Sequence, residues 1–78
     1  MDITKLRIDI AKSIFQLHGI DADGAVVVQK KLRRGAVLNF LGKVEPCLIG
    51  MEACTTSHYW AREIAVLGHE VRLSHRPM

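Results

Sequence analysis

No run of about 18 apolar residues occurs in the chain, so no segment is long enough for a membrane-spanning helix. Low-complexity stretches and long polar tracts are missing too, so nothing marks disorder. Cysteine is confined to Cys47 and Cys54, whose spacing is not that of a zinc site. The start, Met1-Asp2-Ile3-Thr4-Lys5, is acidic and turns into a strand, which excludes a secretory signal there. Two cysteines without such a signal are expected as reduced thiols in a cytoplasm.

What is present is apolar for its size. The 78 residues allow one domain near the lower limit for a self-supporting core, yet 49% are hydrophobic. Mean hydropathy is +0.13. So small a protein cannot hide that much apolar material. Two expectations follow: the chain is a homo-oligomer, or it is a piece of a larger domain. A net charge of +3 permits a nucleic-acid partner without demanding one.

Ile3, Leu6, Ile8 and Ile10 are apolar, with Lys5, Arg7 and Asp9 between the later ones, a period that predicts a first strand over residues 3–10. A tight connection at Ala11-Lys12-Ser13 leads to a second strand, Ile14–Ile20. Asp23-Gly24 is a hairpin signal, and a third strand follows over Ala25–Leu32. Val37, Leu38, Phe40, Leu41 and Val44 then recur at helical spacing, predicting a helix from Gly35 to Val44. Glu45-Pro46 breaks it. Cys47–Met51 reads as a fourth strand, and a second helix starts near Thr55, with Trp60, Ile64 and Leu67 on one stripe. Gly68 suits its C-terminal turn, and His69–Leu73 is a fifth strand. Ser74 to Met78 carry no pattern.

The order β-β-β-α-β-α-β predicts an α/β fold. A meander followed by right-handed crossovers gives a mixed five-strand sheet in the order 3-2-1-4-5. The first and fourth strands are then parallel neighbours less than about 5 Å apart. Asp9 and Glu52 meet at their carboxyl edge, where open α/β sheets bind ligands.

Two carboxylates that close repel each other, and a divalent cation relieves the repulsion. Mg²⁺ and Mn²⁺ take oxygen ligands, often one or two carboxylates with substrate phosphates, which suits phosphoryl chemistry on a nucleic acid. The plainer reading stands beside it: Asp9 caps a turn, and Glu52 assists a helix N-terminus. Lys30, Lys31, Arg33 and Arg34 form the one dense basic run, readable as phosphate contacts or as a solvated strand end. Trp60 lies on an apolar stripe and reads as core. His18 and His58 read as structural or exposed, and Cys54 as a small packed residue near a helix start. Asp21-Ala22-Asp23-Gly24 is no calcium loop, because its twelfth position is Leu32 rather than Glu.

Several motifs in order carry a resemblance: Arg7-Ile8-Asp9-Ile10-Ala11-Lys12-Ser13, Lys30-Lys31-Leu32-Arg33-Arg34-Gly35, Gly50-Met51-Glu52-Ala53-Cys54, His58-Tyr59-Trp60-Ala61-Arg62-Glu63, and Leu67-Gly68-His69-Glu70-Val71-Arg72-Leu73. Together they resemble the DEDD-type transposases of bacterial insertion sequences, a class with a RuvC-like, ribonuclease H-like catalytic domain that includes the pilin-gene invertases. Arg7 stands where that family commonly has glycine. The sugar-kinase and actin-like ATPases share a three-strand opening with an aspartate. They need glycines after it to approach phosphates, and Ile10-Ala11-Lys12-Ser13 has none.

The resemblance implies that residues 1–78 are the N-terminal portion of such a catalytic domain, truncated at the C-terminus. It makes Asp9 and Glu52 catalytic metal ligands for Mg²⁺ or Mn²⁺, with two further acids later in the family's chains. DNA is the implied partner, and some relatives are guided by a structured RNA. The expected activity is DNA cleavage or strand transfer in transposition, with the isolated chain inactive. The alternative is a degenerate transposase remnant that only binds nucleic acid or self-associates.

Overall fold

A computed structural model describes residues 3–11, 13–53 and 55–74. Seven elements follow one another: β1 (Lys5–Ala11), β2 (Ile14–Ile20), β3 (Val26–Arg33), α1 (Arg34–Leu41), β4 (Leu48–Glu52), α2 (Ser57–Val66) and β5 (Glu70–Ser74). The five strands form one mixed sheet in the order β3-β2-β1-β4-β5, as the sequence predicts. β1, β4 and β5 run parallel, and β1-β2-β3 is an antiparallel meander.

Alternation along the strands sorts the side chains into two faces. Leu6 and Ile8 of β1, Phe15 and Leu17 of β2, Val28 of β3, and Ile49 and Met51 of β4 are buried. They share one cluster with Val37 and Leu41 of α1 and Trp60 and Ile64 of α2. Both helices therefore lie on the same side of the sheet, as two right-handed crossovers require. The Phe15 and Trp60 rings meet edge to face at 4.7 Å, tying the sheet to the helix layer. No helix covers the other face among the described residues.

Turns hold the strands in register. In the β2–β3 hairpin, Asp21 Oδ1 accepts the N–H groups of Asp23 and Ala25 at 2.9 and 3.0 Å. Gly24 takes φ +83°, a conformation that a β-carbon disfavours. A bulge between Gly19 and Ile20 shifts the pairing, so Gly19 faces Val28 and Ile20 faces Val26. α1 stops at Leu41, short of the expected Val44. Lys43 and Val44 bond three residues back to Phe40 and Leu41 instead, and Val44 stays in the core. α2 starts at Ser57, two residues later than expected, and Gly68 closes it at φ +100°. Lys12, Cys54 and the tail residues His75 to Met78 lie outside the described residues, as does the packed role expected of Cys54.

Candidate functional site

β1 and β4 pair in parallel with Leu6 opposite Ile49, Arg7 opposite Gly50 and Ile8 opposite Met51. The paired register ends at Ile8 and Met51, and Asp9 and Glu52 are the next residues along the two strands. Directly opposed residues on paired strands share a face, and both acids alternate with buried core residues. They therefore stand on the uncovered face. Asp9 is exposed, and Glu52 is half-buried at the end of β4. A backbone bond from Ala53 N–H to the Ser74 carbonyl at 2.8 Å closes the sheet just beyond Glu52.

The donor set matches a hard cation: two carboxylates on neighbouring strands, with no thiolate or imidazole between them among the described residues. Mg²⁺ or Mn²⁺ is held in this way, completed by water and substrate oxygens. No cluster of three or more metal-binding side chains forms among the described residues.

The basic run divides between the two faces. Lys31 pairs with Gln16, which pairs with Asp9, so Lys31 belongs to the row that holds the acids. Arg33 pairs with Ile14 and shares that face. Lys30 pairs with the buried Leu17 and turns to the helix side, where its Nζ lies 4.8 Å from the centre of the Phe40 ring. Arg34 lies 5.8 Å from the centre of the Trp60 ring. Trp60 itself is core, as its position on the apolar stripe indicates.

Two features escaped the sequence reading. Arg7, Gln16, His18 and Gln29 share the uncovered face with the acids, a placement that alternation and strand register together could have given. His69 is buried, and its Nε2 lies 2.8 Å from the Leu41 carbonyl. Its Nδ1 accepts the Cys47 N–H at 3.1 Å. A polar residue at a strand start gives no sign of such burial. Cys47 is a buried free thiol, and desolvation pushes its pKa upward.

No protein-family model matches the chain. Curated relatives do. A Pseudomonas aeruginosa protein named "Probable family 20 transposase" is 47% identical over 94% of this chain and 22% of its own length. The transposase for insertion sequence element IS1328 of Yersinia enterocolitica is 35% identical over 92% of this chain and 22% of its own. The transposase for insertion sequence element IS1111A of Coxiella burnetii is 33% identical, covering 92% and 20% respectively. Over nearly its whole length the chain is thus homologous to proteins named as transposases of insertion sequences. It spans about a fifth of the length of those relatives.

Proposed function

We propose that this chain is the segment of an insertion-sequence transposase that contributes the first two acids of a ribonuclease H-like catalytic centre, and that the substrate is DNA. The adjacency of Asp9 and Glu52 on parallel neighbours β1 and β4 carries the reading. Homology to transposases supports the choice of DNA over other phosphoryl substrates.

In this reading Asp9 and Glu52 hold Mg²⁺ or Mn²⁺ from the uncovered face. A divalent ion there supplies activation of the attacking oxygen and charge stabilisation at the phosphate. Asp9, exposed on β1, is the ligand nearest incoming DNA. Glu52, half-buried on β4, is fixed by the strand on either side of it. Lys31 and Arg33 border the same face and neutralise backbone phosphates. Further ligands come from outside this segment, so the 78-residue chain by itself turns over no DNA. The outer edge of β5, unpaired among the described residues, is where the remainder of a longer chain, or a second copy, adds to the sheet. A guide RNA in the intact protein is compatible with the same basic residues.

The test is transposition by an intact relative carrying the counterparts of Asp9→Asn and Glu52→Gln. Each change is expected to lower the frequency by at least about 100-fold, the scale on which removing a group that stabilises transition-state charge acts. Transposition at the unaltered frequency in either variant overturns the assignment. Metal-dependent nuclease activity of the purified chain, lost in Asp9→Ala, overturns its inactivity in isolation.

A further inference from the structure

We propose that the uncovered face over β1, β2 and β3 is a track for the phosphate backbone of DNA, gripped by Arg7 and Lys31 and leading to Asp9. This deepens the reading above and rests on nucleic acid being the partner.

The face carries a depression of about 550 Å³ bordered by Arg7, Asp9, Gln16, His18, Gln29 and Lys31, together with Leu17 and Lys30, whose side chains turn to the helix side. Strand pairing arranges the first six in two cross-strand rows. Arg7, His18 and Gln29 form one, and Asp9, Gln16 and Lys31 the other. The rows stand two residues apart along each strand, roughly 7 Å. All of these side chains except Asp9 are able to donate hydrogen bonds to phosphate oxygens.

Charge selects the occupant. Lys5, Arg7, Lys31 and Arg33 project on this half of the face, against Asp9 and, on the adjoining strand, Glu52. Farther along the sheet, Arg72 Nε is matched by Glu70 at 3.3 Å. Among the described residues neither Arg7 nor Lys31 forms an ion pair. Phenylalanine, tyrosine and tryptophan are absent from these two rows. Phe15 and Trp60 belong to the core, and the Phe40 ring receives Lys30 on the helix side. Without stacking platforms, contact is with the backbone and is independent of sequence. A polyanion that presents evenly spaced phosphates fits such rows. An apolar protein surface does not.

Lys30 and Lys31 are neighbours in sequence but not in function. Only Lys31 shares the face with Arg7, and that difference gives the test. A fluorescein-labelled DNA duplex of arbitrary sequence is titrated with the 78-residue chain in EDTA at several salt concentrations, followed by anisotropy. Arg7→Gln and Lys31→Gln are each expected to weaken binding on the order of tenfold near 0.1 M salt. Each should also reduce the log–log salt slope by about one. Lys30→Gln and Arg34→Gln leave affinity within about twofold. All four side chains are exposed, and circular dichroism confirms that the variants fold.

Absence of duplex binding by the unaltered chain overturns the proposal. Equal losses in the Lys30 and Arg34 variants, or no loss in the Arg7 and Lys31 variants, overturn it as well. Binding to an RNA of the same length but not to DNA overturns the choice of DNA. The chelator removes divalent ions, so the titration reads the track without the metal site. Asp9→Asn removes a repulsion and is expected to tighten binding here, whereas in an intact relative it abolishes transposition. Failure of one reading is thereby separable from failure of the other.

Discussion

His69 holds Cys47 by its main chain: Nδ1 accepts the Cys47 N–H at 3.1 Å, 22 positions back in the sequence. That acceptor role fixes the tautomer, so Nε2 carries the proton and donates it to the Leu41 carbonyl at 2.8 Å. One ring thereby joins the end of α1, the entrance to β4 and the entrance to β5. The buried end of a helix and the buried start of a strand both need partners for their backbone groups, and this imidazole supplies one to each.

Replacing His69 with Ala leaves the Leu41 carbonyl and the Cys47 N–H without those partners. The expected loss is roughly 1–3 kcal/mol of stability. Urea unfolding checks it, as a lower midpoint with an unchanged slope.

Cys47 supplies a pH dependence. Burial raises its thiol pKa above the ordinary 9.0. Near and above pH 9 the unfolded chain releases this proton while the folded chain keeps it. Stability is therefore fully present below the ordinary thiol pKa and falls as pH rises through the raised folded value. Urea midpoints between about pH 8 and pH 10.5 should fall more steeply in the unaltered protein than in Cys47→Ala. Equal slopes would show that the thiol is not the source.

Gly19 occupies the buried face of β2, and a β-carbon there would lie 3.0 Å from Leu6 Cδ1 and 3.3 Å from Ile3 Cγ2. Gly19→Val forces a branched side chain into that space and is expected to destabilise by about 1–3 kcal/mol. Thermal unfolding of the variant is the measurement.

Lys30 and Phe40 are coupled across β3 and α1 at 4.8 Å. A double-mutant cycle with Lys30→Gln and Phe40→Leu should return an interaction of about 0.5–1 kcal/mol, as for an exposed cation over a ring. A coupling of zero would place Lys30 in solvent.

The element order was legible because each signal was local. Phe15 and Leu17 alternate with Gln16 and His18, and β2 spans the residues that this pattern predicts. Asp23-Gly24 marks a turn that forms. Val44, by contrast, extended the helical pattern past the helix, because a residue can remain in the core after its backbone has left α1. Ser57 is fully buried at the start of α2, and its hydroxyl hides that from any hydropathy reading. That Asp9 and Glu52 end parallel neighbouring strands followed from topology alone. The split of Lys30 from Lys31 was available from parity with Val28 and Leu32, but a dense basic run invites treatment as one patch. His69 was out of reach, since its partners lie 22 and 28 residues away and only the tertiary fold names them.

β1 has two edges, and they become satisfied on different schedules. On one side its partner β2 is the next element, joined by a tight connection. On the other, Lys5 waits for Leu48. Closing so long a loop is entropically slower than zipping a hairpin. During synthesis the meander is complete well before β4 leaves the ribosome. For that interval the central strand of the finished sheet is an edge, with main-chain groups open to any extended segment nearby. The strand that carries Asp9 is therefore the place where misassembly is most to be expected in the nascent chain.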